Sequence, residues 1–168
     1  MPFLPESKEF LALADSHDAV PVYRRLLCDG LTPVSAFRRI DDGANACLFE
    51  SVVGGERVGR HSFLGTKPTA QVIAKGNQVT LISQDHCETF ESDNPLEVVR
   101  SRLKSVSVAK LSDLPPFTGG AIGYAGYDVV RYVENLPDAP EDDRDLSDMS
   151  FAFYDSMLVF DHITKTIT

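Results

Sequence analysis

The apolar positions change their period several times along the chain. Residues 6–16 place Phe10, Leu11 and Leu13 among polar neighbours, a spacing that predicts a short helix. Residues 21–27 alternate as a strand does, and Asp29-Gly30 marks the turn after it. Thr32 followed by Pro33 has the form of an N-cap with proline at the first helical position, so a helix is expected over 33–39, stopped by Asp41-Asp42-Gly43. Residues 46–53 form an apolar strand apart from Glu50 and Ser51, and Gly54-Gly55 breaks it. Residues 69–75 and 77–83 flank Gly76 as the arms of a hairpin, and 86–91 supply a third strand. Asn94 is the expected cap of a helix that begins at Pro95 and runs to about Val106, with Leu96, Val99 and Leu103 on one face. A linker ending at Pro115-Pro116 leads into the glycine-dense tract 117–126. A short helix over 127–133, a loop over 134–148 and one long strand over 149–160 follow, and a further strand begins at Lys165. Many strands and few short helices define an α+β chain.

The chain has 168 residues, 43% hydrophobic and 24% charged, which suits one domain with a real core. Its formal charge of −9 argues against nucleic acid as a partner, because phosphate recognition requires a basic footprint. It argues equally against anionic membrane surfaces. The charge is uneven: residues 134–148 hold seven carboxylates against Arg144 alone, a net of −6. With Pro137 and Pro140 in the same stretch, this reads as an exposed, solvated loop. Cys28, Cys47 and Cys87 are odd in number and widely spaced, so neither a disulfide framework nor a Cys-x-x-Cys metal pair is expected. The N-terminus has no signal-peptide pattern and no apolar run is long enough to span a membrane. A cytoplasmic protein is the expectation. The final Thr164-Lys165-Thr166-Ile167-Thr168 lies inside a β-prone run, which points to the front part of a longer protein.

The most polar stretch beside an apolar strand is 50–65. Glu50 and Ser51, adjacent in that strand, either pair with local amides or bind a ligand, since polar groups at a core strand must be satisfied. A carboxylate suits a ligand ammonium group, and a hydroxyl can serve either end of an amino acid. The tract Gly119-Gly120-Ala121-Ile122-Gly123-Tyr124-Ala125-Gly126 lacks dinucleotide spacing and reads as close backbone packing in a sheet. His17, His61, His86 and His162 share no metal-ligand spacing, and no nucleophile motif surrounds Ser51.

Read in order, several motifs resemble one family. They are Leu31-Thr32-Pro33-Val34-Ser35-Ala36-Phe37, Leu48-Phe49-Glu50-Ser51, Gly59-Arg60-His61-Ser62-Phe63-Leu64-Gly65, Asn94-Pro95-Leu96, Gly119-Gly120-Ala121-Ile122-Gly123-Tyr124 with Tyr127-Asp128, and Phe153-Tyr154-Asp155. The series resembles the N-terminal domain of anthranilate synthase component I, from about Val22 to the end. That resemblance implies a sandwich of two antiparallel β-sheets with peripheral helices, occupying residues 1–168 as one regulatory domain. It implies a parent lyase that converts chorismate and glutamine, or ammonia, to anthranilate and pyruvate with Mg²⁺, opening tryptophan biosynthesis under feedback inhibition by L-tryptophan. A glutamine amidotransferase subunit (component II) is the implied protein partner.

In that family the chorismate- and Mg²⁺-binding residues belong to a C-terminal half that would follow this chain. No catalytic residue and no metal ligand is therefore expected here. Ser51 corresponds to the serine of the family's tryptophan site, Glu50 beside it is the candidate for the ligand ammonium, and Pro33 matches a proline near the pocket. Phe49, Val58 and His61 depart from the family's usual leucine, tryptophan and tyrosine. Component I of para-aminobenzoate synthase, and a non-catalytic tryptophan-binding module, are the two other readings. The Thr32–Ala36 tract favours anthranilate synthase over the first.

Overall fold

A computed structural model describes residues 2–50, 59–83, 86–138 and 141–168. In chain order the elements are helix α1 (Ser7–Ala14), strand β1 (Leu26–Leu27), helix α2 (Pro33–Ile40), and strands β2 (Cys47–Phe49), β3 (His61–Gly65), β4 (Ala70–Lys75), β5 (Gln78–Ser83) and β6 (His86–Glu91). Helix α3 (Pro95–Lys104), strand β7 (Gly120–Ala125), a 3₁₀ helix (Tyr127–Tyr132) and strands β8 (Met149–Tyr154), β9 (Met157–Asp161) and β10 (Thr166–Ile167) complete the chain. The expected α+β class, with two antiparallel sheets and few helices, is what the structure has. The chain divides into two compact units. One comprises residues 1–67, 106–119 and 155–168, the other 68–105 and 120–154.

The first unit contains the sheet β1-β10-β9-β3-β2. Its strands are short, and β3 is bracketed by β9 and β2, with His61 opposite Asp161, Leu64 opposite Leu158 and Phe49 opposite Phe63. Leu64 and Phe160 point to one face, where they meet Ala36, Phe37 and Ile40 of α2. Helix α2 forms there because its start is chemically closed. Thr32 Oγ1 accepts from the Ser35 amide at 3.1 Å, Ser35 Oγ accepts from the Thr32 amide at 2.9 Å, and Pro33 occupies the first turn, where no amide hydrogen is needed.

The second unit contains the sheet β6-β5-β4-β8-β7. Its five strands are six residues each, and period-two alternation buries Ala70, Val72 and Ala74 on β4 against Val79 of β5 and Met149 of β8. Val99 of α3 and Val129 of the 3₁₀ helix close this core. The β4–β5 hairpin turns at Gly76-Asn77, with Gly76 at φ +55°, a conformation that glycine adopts without steric cost. Gly123 answers a second demand. A Cβ there would lie 1.9 Å from the Ser150 carbonyl oxygen, so β7 approaches β8 only because residue 123 has no side chain.

Several expectations need correction. The run 149–160 is not one strand: Asp155-Ser156 separates β8 from β9, and the two strands belong to different sheets. The strand expected over 21–27 is reduced to Leu26–Leu27, with Tyr23 joining Leu4 in an isolated bridge. Asn94 precedes α3 but makes no side-chain cap bond, and its Oδ1 is buried without a partner among the described residues. Strand β3 was not anticipated. The hairpin, β6, the 3₁₀ helix, α2 and the sheet placement of the glycine tract all appear as expected.

Candidate functional site

Of the three residues singled out by sequence, the structure describes two, and Ser51 lies outside the described residues. Glu50 directly follows β2 and is exposed. Pro33 is buried at the start of α2. It lines a cleft of about 340 Å³ in the first unit, together with Thr32, Leu31, Phe160, His162 and Lys165. Glu50 is not among the described residues that line that cleft. Of the two described residues, the structure places only Pro33 in that cleft.

What it does bring together is a polar cluster on β3 and β9 that the sequence concealed. Arg60 reaches Asp161 with two donors on one oxygen, Nε at 3.0 Å and Nη2 at 2.6 Å from Oδ2. The other oxygen, Oδ1, accepts from the amides of Ile163 at 2.9 Å and Thr164 at 3.1 Å. Burial alone would push the Asp161 carboxyl up. The Arg60 guanidinium and the two amides outweigh it and hold the group well below the usual carboxylate range. His61 Nε2 stands 3.8 Å from the same carboxylate. Burial nonetheless lowers the His61 imidazole below its ordinary value; Asp161 opposes this, while Arg60 and His162 add to it.

On the opposite face of β3, Ser62 is fully buried, and its hydroxyl shares a hydrogen bond with His162 Nε2 at 2.7 Å. This pairing satisfies a hydroxyl two residues before the core residue Leu64, on the same face of β3. Because Ser62 has no exposure, the pair is a structural tie and not an accessible nucleophile. Asp161 lines two clefts, the one at Pro33 and a second of about 410 Å³ bordered by Arg25, Arg60, His61 and Pro115-Pro116. Sequence carried little signal for this cluster, since Arg60 and Asp161 are 101 residues apart. The only hint was the motif Gly59–Gly65, in which Arg60, His61 and Ser62 stand consecutively.

Among the described residues no group of three or more His, Cys, Asp or Glu side chains is arranged to hold a metal ion. Among the same residues no helix is long and apolar enough to cross a membrane.

Residues 45–168 match the family described as chorismate binding enzyme. Anthranilate synthase component 1 of Acetivibrio thermocellus is 36% identical over 165 residues, covering 98% of this chain and 33% of the relative. The chloroplastic anthranilate synthase alpha subunit 2 of Arabidopsis thaliana is 39% identical, covering 94% of this chain and 28% of the relative. The crystal structure of anthranilate synthase component I from Streptococcus pneumoniae TIGR4 superimposes with a TM-score of 0.52 at 26% identity, over 86% of this chain and 30% of that one. The chain thus spans about a third of the length of the curated relatives it matches.

Proposed function

The chain belongs to the chorismate binding enzyme family, and from that premise we propose that it is the N-terminal, tryptophan-binding regulatory domain of an anthranilate synthase component I. The observation that carries this reading is the match to anthranilate synthase component 1 across 98% of the chain but only 33% of the relative. The parent enzyme would be a lyase forming anthranilate and pyruvate from chorismate, with glutamine or ammonia as nitrogen source. Its catalytic residues and its Mg²⁺ site would lie in the two thirds of the relatives' length that this chain does not span. A glutamine amidotransferase subunit would be its partner and the cytoplasm its compartment. The family match over 45–168 assigns contact with chorismate to no particular residue of this chain.

The regulatory step is a matter of differential affinity. A feedback effector lowers activity only if it binds one arrangement of the enzyme more tightly than another. Glu50, exposed at the end of β2, offers a carboxylate for the ammonium of free tryptophan, and Ser51 offers a hydroxyl for either polar end of the ligand. Pro33 would contribute apolar surface in the cleft it lines. A pocket completed by the remainder of the enzyme lets the bound amino acid hold both parts in an arrangement with low affinity for chorismate.

The test uses the whole enzyme, supplied with chorismate and ammonia. Anthranilate should accumulate and added tryptophan should suppress it. Formation of para-aminobenzoate, or activity indifferent to tryptophan, would overturn the reading. The chain itself contains no Trp, so the fluorescence of added tryptophan reports binding to the isolated 168 residues without background. Little change is expected there, because the pocket is incomplete; micromolar binding would instead identify a self-sufficient tryptophan-binding module.

A further inference from the structure

The second unit carries a cleft of about 700 Å³, larger than the two first-unit clefts that Asp161 lines. Tyr124, Tyr127 and Tyr132 line it, with six carboxylates against the two guanidinium groups of Arg131 and Arg144. Its wall comes from the acidic stretch after the 3₁₀ helix, and that wall is tied to the sheet. The Lys75 ammonium pairs with Asp142 at 2.6 Å and with Asp145. Asp148 Oδ2 accepts from the Gly76 amide at 2.7 Å and from the Tyr132 hydroxyl at 2.9 Å. Arg131 donates to Asp128 at 2.8 Å and to the Leu136 carbonyl at 2.8 Å. Burial, followed by the Asp148 carboxylate, pushes the Tyr132 phenol upward, so it stays neutral and keeps donating. Glu141 and Asp143 have no ion-pair partner among the described residues and remain on the rim as uncompensated charge.

A stretch that served only solubility would carry few apolar side chains outward. This one exposes Leu136 at 44% and Leu146 at 63%, and the 3₁₀ helix before it adds Tyr127 at 92% and, at its end, Val133 at 63%. Tyr127 and Leu146 line the cleft. Val133 and Leu136 lie on the segment leaving the 3₁₀ helix, which the Arg131–Leu136 bond folds back. Apolar anchors set beside a predominantly acidic rim describe an interface core and its steering field. The apolar residues extend beyond the cleft, so a small cation would leave them uncovered.

The geometry points to a docking surface in the second unit for a partner protein that presents Arg or Lys side chains interleaved with aliphatic ones. The cation heads meet Glu141, Asp143 and the tyrosine faces, where carboxylates and aromatic rings both favour positive charge. The aliphatic side chains cover Tyr127, Leu136 and Leu146. This inference does not rest on the tryptophan reading.

The test is binding of the full 168-residue chain to a short synthetic peptide alternating arginine and leucine, followed by fluorescence anisotropy at about 0.1 M salt, where unpaired charges still act across a Debye length of about 10 Å. Tyr127→Ala should weaken binding about tenfold, as loss of a central aromatic anchor does. The double variant Glu141→Gln/Asp143→Asn should weaken it as well and flatten its salt dependence, while Glu6→Gln/Glu9→Gln on α1 should leave it unchanged. Both test sites are exposed, so the variants keep the core, and Leu146→Ala gives a second apolar reading. The proposal is overturned if the peptide with glycine in place of leucine binds equally well, if Tyr127→Ala and Leu146→Ala both leave the affinity unchanged, or if argininamide alone binds as tightly as the peptide.

Discussion

The two sheets of this molecule are built in different ways. In the second unit, five strands of six residues stack alternating apolar side chains, and the sheet is held by shape: Val72 and Val79 have no exposure, and Gly123 permits a backbone approach that no other residue allows. In the first unit the strands have two to five residues, and much of the sheet is secured by polar ties at Arg60–Asp161, Ser62–His162 and the closed start of α2. Steric cores respond to volume, whereas polar ties respond to charge and pH. A region that must react to a ligand is better served by the second kind, because segments with small apolar cores open at lower cost.

That contrast is open to attack by mutation. The largest effect is expected at Gly123→Ala, whose new Cβ would strike the backbone of Ser150 and Phe151. The predicted loss is about 3–5 kcal/mol in thermal or denaturant unfolding, the range of severe overpacking. A loss near zero would show that β7 and β8 are not as close as described. Leu64→Ala removes the largest fully buried side chain of the first unit and should cost about 2–5 kcal/mol. If it costs much less, the first unit depends on apolar packing even less than the contrast states.

Arg60→Met comes next, with an expected loss of about 1–2 kcal/mol at neutral pH, since the guanidinium is partly exposed and its charge partly screened. Its pH dependence is more telling. Asp161 has its carboxyl held below the ordinary 3.8. Its stabilising contribution is present above that value and is lost as pH falls through the lower, folded-state value. His61, lowered from 6.5, takes its proton more readily unfolded than folded, so it too favours the folded state less as pH drops below that point. Amide exchange should therefore show β3 and β9 loosening in acid before β4 and β5. In the Arg60→Met variant the part of that dependence below pH 3.8 should be smaller, and an unchanged profile would remove Asp161 from the account. The smallest effect belongs to Thr32→Ala, about 1 kcal/mol for loss of a helix cap, read from the exchange of α2 amides.

The same contrast explains what could be read from sequence. The hairpin at Gly76 and the helix opened by Thr32-Pro33 were legible because local rules set them: a turn glycine between alternating arms, a hydroxyl before a proline. Strand β3 was hidden because His61 and Ser62 look like loop residues until Asp161 and His162, a hundred positions later, supply their partners. The run 149–160 misled for the opposite reason. Its apolar content is nearly continuous, and only Asp155-Ser156 records that the chain leaves one sheet for another. Of the candidate site, Glu50 and Pro33 were named by motif, and neither the exposure of the first nor the burial of the second had any local signature.

Glu50-Ser51, at the start of the polar tract, is proposed above to form part of a tryptophan site. The most direct measurement is tryptophan inhibition of anthranilate formation by the whole enzyme with Ser51 replaced by alanine. Loss of a hydrogen bond to a charged ligand group should raise the inhibiting tryptophan concentration about tenfold or more, with the uninhibited rate unchanged. Inhibition at the same tryptophan concentration as the unaltered enzyme would contradict the claim.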